Sequence, residues 1–338
     1  MKLRRALLWL LPAFLAVGAT VWLWPVPERF FRGKPERQWI AELKLEYDPE
    51  QQSLWKSFGD DGIRMLVRAY WTSYGSSKYV WHRTYRRLSR ILPDAVLRLF
   101  PSPAGIVSWG PRCTLMSHLG SLEDPNGLGL HVATLALDDL DPGARAGALI
   151  YFTHGTLHNV PLTRMDSRTK TRLLPRFLAA LQDRDWIVRN NAVCALRFFP
   201  EAASVVVPAL SQALLDPNPE VQLAAASILP EVATDRVTKR AAVSVIIAIL
   251  ASPNDQIAWQ AAEALGELGV EPEIAVPALM ATLGSTNALV AETAVGALER
   301  FSSWPAGSRQ TLEGLLQNPD PTVRERATNL LAAPVAGK

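Results

Sequence analysis

Five segments of this chain lie over one another at a nearly constant interval. They are Val188…Ala192…Leu196, Val221…Ala225…Leu229, Ile257…Ala261…Leu265, Val290…Ala294…Leu298 and Val323…Ala327…Leu331. Each has an apolar residue, Ala four positions on, and Leu four further on. The steps between them are 33, 36, 33 and 33 residues. A short unit repeated at this interval cannot bury its apolar face alone and must stack on its neighbours. Apolar residues at i, i+4 and i+8 make one stripe of a helix, and a small residue in the middle lets a second helix approach closely.

A second stripe precedes each segment: Phe177/Leu181, Leu210/Leu214, Ile246/Leu250, Leu279/Leu283 and Leu312/Leu316. Between the stripes, five residues before the first apolar position, stand Asp183, Asp216, Ser252, Ser285 and Asn318, all helix-capping or turn types. The spacing predicts a helical hairpin per repeat. Pro175, Pro208 and Pro277 recur in the first helix, where they start or bend it. The pattern extends upstream through Ala144, Ala148 and Phe152, and less closely through Pro111, Leu115 and Leu119. About seven repeats result, and no strand alternation of useful length is present. The expected fold is all-α, an α-α superhelix. Its segments are 28–84 as a helical leader and cap, 85–333 as repeats and 334–338 as a tail.

The turn-to-helix passages, best seen in Asn318-Pro319-Asp320-Pro321-Thr322-Val323-Arg324, and the run Ala261-Ala262-Glu263-Ala264-Leu265-Gly266-Glu267-Leu268-Gly269 resemble HEAT repeats. The resemblance implies an α-solenoid whose usual activity is binding. Phe31-Arg32-Gly33-Lys34 with Trp39-Ile40, followed by Trp55 and Phe58-Gly59-Asp60-Asp61-Gly62-Ile63, looks like the leader of membrane-anchored bacterial HEAT-repeat proteins. Arg follows the first apolar position at Arg112, Arg145, Arg189 and Arg324, but Gln222, Ala258 and Ala291 replace it elsewhere. An Asp–Arg ladder along the array is therefore interrupted.

The N-terminus reads differently. Lys2, Arg4 and Arg5 precede Ala6–Trp24, which carries no charge and is long enough, at about 1.5 Å per residue, to cross a hydrocarbon core. The expectation is a signal anchor over 1–27, with cleavage near Ala19 as the alternative. The basic N-terminal tail favours a body on the extracytoplasmic side, and cleavage would make it periplasmic or secreted. Trp22, Trp24, Arg29, Arg32 and Lys34 are the residues expected at the membrane surface.

The net charge of +3 conceals a gradient. Residues 1–100 hold 17 Lys and Arg against 9 Asp and Glu, whereas 198–338 hold 8 against 15. Basic and aromatic residues alternate between Trp71 and Arg90, as a cap over the first repeat or as a lipid-facing surface; nucleic acid is not expected as a partner. The step from Ala144 to Val188 is 44 residues, so an insertion lies near 153–172. It brings His154, His158, Arg164 and Arg168, read as a loop. Its histidines lack the acidic companion of a metalloenzyme pattern, and neither metal nor cofactor is expected. Nucleophile elbows, phosphate loops and Cys-His pairs supported by a third group are absent, so a non-catalytic scaffold is expected. A repeat-based enzyme such as a bilin lyase and a lipid-binding, membrane-organising protein are the alternatives. Cys113 and Cys194 read as inert core thiols. The expected partner-binding residues lie on the inner face of the second helices, the face that lines the concave surface of a curved solenoid: Asn190, Arg197, Trp259, Glu263, Glu292 and Glu299. The acidic balance there favours a basic or mixed protein or peptide partner.

Overall fold

A computed structural model describes residues 28–44, 48–75, 109–139, 141–153 and 161–332, with the backbone alone for 71–75 and 109–113. The expectations for the anchor, Trp22, Trp24, His154, His158, the 76–90 stretch and the tail lie outside these residues, as do those for the side chains of Trp71, Tyr74 and Cys113. The chain divides into two compact units, 1–164 and 165–338. Among the described residues no single helix is long and apolar enough to cross a membrane.

The first unit opens with a hairpin that the sequence did not announce. Strands β1 (Phe30–Phe31) and β2 (Lys34–Pro35) pair antiparallel, Phe30 opposite Pro35 and Phe31 opposite Lys34. Arg32 and Gly33 join them with φ of 50° and 77°. Positive φ at both central residues is the signature of the two-residue turn that matches strand twist. Helices α1 (Glu36–Ala41), α2 (Pro49–Lys56) and α3 (Gly59–Gly75) follow. Asp48 caps α2 by accepting from the amides of Glu50 and Gln51. Phe31, Trp39 and Trp55 all meet the Phe58 ring edge-on, with centroids 5.0, 5.1 and 5.3 Å away.

Then come α4 (Trp109–Ser121), α5 (Leu128–Ala136), α6 (Pro142–Thr153) and the single turn α7 (Pro161–Arg164). The α3 helix packs on α4 and α5. The leader thus covers the first repeats through Trp55, Ile63, Met65, Leu66 and Tyr70, all nearly inaccessible. Gly120 lets α4 and α6 touch: a Cβ there would lie 2.5 Å from the Tyr151 carbonyl oxygen.

The second unit is a helical solenoid of five hairpins: α8 (Ser167–Ala180) with α9 (Trp186–Leu196), α10 (Ala203–Ala213) with α11 (Pro219–Val232), α12 (Arg236–Leu250) with α13 (Asp255–Leu268), α14 (Pro272–Ala281) with α15 (Ala288–Glu299), and α16 (Ser308–Leu315) with α17 (Pro321–Ala332). The central alanines Ala192, Ala225, Ala261, Ala294 and Ala327 are all 0% exposed, as is Ala148 in α6. That agreement fixes the register of the repeat. Leu331 is only half-buried, and its neighbour Leu330 is buried instead.

The structure moves the helix caps by two residues. Capping is done by Asp185, Asn218, Asn254, Asn287 and Asp320, three positions before the first apolar residue. Asp183, Asp216, Ser252, Ser285 and Asn318 instead accept from the amide of the capping residue itself. Asp139 and Asp141 repeat both bonds before α6. Two side chains in series thus hold each interhelical turn. Where Arg or Gln follows the first apolar residue, it clips the turn again: Arg145, Arg189, Gln222 and Arg324 donate to the carbonyls of Asp139, Asp183, Asp216 and Asn318 at 2.6–2.9 Å.

The prolines do not start the first helices. Pro175, Pro208 and Pro277 sit inside α8, α10 and α14. All three are exposed, so water reaches the carbonyls that a missing N–H leaves unpaired. The insertion is also shorter as a loop than its sequence implied. Leu162 on α7 is fully buried. Asp166 caps α8 through the Thr169 amide. Arg168 is therefore a helical residue of α8, not a loop residue, because Asp166 starts the helix two positions earlier.

Candidate binding face on the second helices

The candidate partner-binding residues lie on three second helices: Asn190 on α9, Trp259 and Glu263 on α13, Glu292 on α15. Arg197 and Glu299 lie at or just past the ends of α9 and α15. Trp259 and Glu292 hold the same position in consecutive hairpins, two residues after the first buried apolar residue. Asn190, Trp259 and Glu263 are half-buried, and Glu299 is exposed. No hydrogen bond or ion pair links these six to one another among the described residues.

Two of them are engaged across hairpins. Arg197 meets Glu231 at 2.5 Å, with both side chains near half exposure. Glu292 accepts from Arg326 Nε at 2.8 Å. Arg326 is only 11% exposed and also donates to the Leu283 carbonyl at 2.9 Å, so its guanidinium is held from two sides. Trp259, Glu263 and Glu299 have no side-chain hydrogen bond or ion pair among the described residues. The α13 and α15 helices carry Asp255, Glu263, Glu267, Glu292 and Glu299 and not one Lys or Arg. The result is a half-exposed indole with a free N–H on an anionic face.

The ion pairs that join neighbouring hairpins were only partly foreseen. Arg189 grips Asp216 with two parallel bonds, Nε–Oδ2 at 2.7 Å and Nη2–Oδ1 at 2.8 Å. Burial would raise the Asp216 carboxyl, but the Arg189 guanidinium and the Asn218 amide outweigh it and hold the group below the usual range. This is one rung of the interrupted Asp–Arg ladder. A second clamp had no sequence signal beyond a Glu before Pro272. Glu271 sits at φ 49°, a conformation rare for a residue with a Cβ, and is only 8% exposed. Arg236 Nε and Arg240 Nη1 reach its carboxylate at 2.8 and 3.2 Å. The Arg236 hydrogen bond lowers its pKa. The partners lie 35 and 31 residues away, so only the fold brings them together.

The remaining candidates are scattered. Arg164 is exposed, with a marginal 3.5 Å contact to the Gly120 carbonyl. Arg168 is exposed on α8. Lys34 is bonded to Glu42 and stacks 4.2 Å over the Trp39 ring. Arg32 donates to the Ser57 carbonyl and lies over the Phe58 ring at 4.8 Å. Arg29 is exposed. Burial pushes the Cys194 thiol pKa up, the direction of an inert thiol. Among the described residues no group of His, Cys, Asp and Glu is arranged to hold a metal ion.

A search of the curated proteins returns no match. Among solved structures, one engineered protein is 22% identical over 60% of this chain and 95% of its own, with a TM-score of 0.41. Another engineered protein is 19% identical, covers 86% of this chain and 76% of its own, and has a TM-score of 0.44. A designed armadillo repeat protein in complex with the peptide (KR)4 is 17% identical over 60% and 97%, with a TM-score of 0.39. The family model described as HEAT repeats matches residues 207–299 and 243–332. These matched stretches fall on α10 through α17, and they support a HEAT-repeat assignment for that part of the chain.

Proposed function

We propose that this chain is a membrane-tethered, non-catalytic scaffold that binds a basic protein or peptide segment on the Trp259 face of α13 and α15. The tether is the charge-free Ala6–Trp24 run, with the body on the extracytoplasmic side. The observation that carries the binding reading is Trp259. Its half-exposed indole has no side-chain partner among the described residues and lies on helices whose own charged residues are all acidic, with Glu292 alone paired to an arginine, Arg326. An aromatic anchor with like-signed charge around it suits a partner that brings an apolar or cationic group to the ring and Lys or Arg to the rim.

Peptide binding by the full chain tests it. A fluorescent Lys/Arg peptide with one apolar anchor is expected to bind, more weakly as salt rises, while its Asp/Glu counterpart does not. Trp259→Ala is expected to weaken binding by roughly 30-fold, the effect of losing an anchor worth about 2 kcal/mol. Equal binding of acidic and basic peptides would overturn the reading.

A further inference from the structure

The β1–β2 hairpin has two faces. Phe31 and Lys34 turn inward, onto the Phe58 and Trp39 rings. By the two-residue alternation of strands, their neighbours Phe30 and Pro35 share the opposite face. Phe30 is 65% exposed, the most exposed aromatic side chain among the described residues. Pro35 is half-buried, so the ring turned to solvent is Phe30, and it gains nothing from the fold that carries it.

The charges around it are unequal. Lys34 and Arg37 are neutralised by Glu42 and Glu28. Arg29 and Arg32 meet no carboxylate among the described residues. Arg32 is turned inward, onto the Ser57 carbonyl and the Phe31 and Phe58 rings, so the outer face is an aromatic ring beside one uncompensated cation, Arg29. Its position in the chain is equally specific. Phe30 stands six positions after Trp24, the end of the uncharged run. Six residues reach at most about 20 Å. Headgroup layers lie immediately outside a hydrocarbon core about 30 Å thick. A hairpin held this close to a spanning segment cannot move far from the membrane surface.

We propose that the Phe30 face of the hairpin, with Arg29, seats in the headgroup layer of an anionic bilayer and so fixes how the body stands on the membrane. The aromatic ring takes the interfacial place favoured by such side chains, and the Arg29 guanidinium pairs with a lipid phosphate. The inference rests on the anchor reading of Ala6–Trp24. It adds a residue, Phe30, and removes Arg32 and Lys34 from the membrane contact.

The full chain reconstituted in vesicles of phosphatidylcholine and phosphatidylglycerol tests both. The photo-crosslinking residue p-benzoylphenylalanine replaces Phe14 in one sample and Phe30 in another, and lipid adducts are read by mass spectrometry. Adducts at both positions are expected, with the yield at position 30 falling when Arg29→Gln is added. Adducts at 14 but none at 30 would overturn the seating and leave the anchor standing. Adducts at neither would overturn the anchor and, with it, the seating.

Discussion

Gly266 shows how one residue sets the distance between two helices. A Cβ built on it lies 2.6 Å from the Ala297 Cα and 2.7 Å from the Ala297 Cβ, so α13 and α15 touch there through backbone. Gly120 makes the same contact on Tyr151, nine residues after its repeat's first apolar position, as Gly266 is. Gly296, in the middle of α15, has nothing within 4 Å of its Cβ position. The two glycines therefore predict opposite signs. Gly296→Ala gains helix propensity and is expected to stabilise by about 0.5–1 kcal/mol. Gly266→Ala gains the same propensity but overpacks a backbone contact, and is expected to destabilise by about 1–2 kcal/mol net. Urea midpoints of the two variants check this; equal shifts would show that α13 and α15 are not in contact at Gly266.

At the scale of the element, the interhelical turn is the part of the fold most legible in sequence, although the helix cap lies two residues after its most conspicuous polar residue. The polar residue five positions before the apolar stripe is conspicuous, but both it and the residue two positions later carry an acceptor. Only the backbone decides which of them faces the helix N-terminus. The clamp on Glu271 lay beyond reach for another reason. Its arginines are on a different hairpin, and no local pattern encodes a bond across 35 residues. The central alanines were readable because close helix packing permits little else at that position.

Asp216 ties two elements together, and its charge is testable by pH. Its carboxyl titrates below the ordinary range, so its contribution is complete above the unfolded-state value of about 3.9 and is lost as pH falls through the folded-state value. Asp216→Asn keeps an acceptor for the Asn218 amide but loses the charge opposite Arg189. It is expected to cost about 2 kcal/mol at pH 7 and progressively less below about pH 4. Thermal melts of both proteins from pH 3 to 7 measure the difference. A gap that stays constant with pH would mean that the Arg189–Asp216 pair contributes no charge-dependent stability.

On the scale of the whole molecule, the modest net charge of +3 is the sum of two opposed fields. The basic excess belongs to the first hundred residues, next to the proposed tether, and the acidic excess to the last hundred and forty. The matched repeats lie in the acidic part. The sequence specifies this distribution and the repeat register fully, because both are sums over many positions. It specifies the binding face only in outline. Which of its residues remain free depends on pairings such as Arg326 with Glu292 that the fold alone creates.

The central claim is that the Trp259 face carries the binding. Affinity capture from native membranes, comparing the full-length chain with its Trp259→Ala, Glu263→Ala variant, tests it most directly. The variant is expected to keep its helical circular dichroism and lose a defined set of proteins rich in basic segments. An unchanged set, captured by a variant that is still folded, would contradict the account.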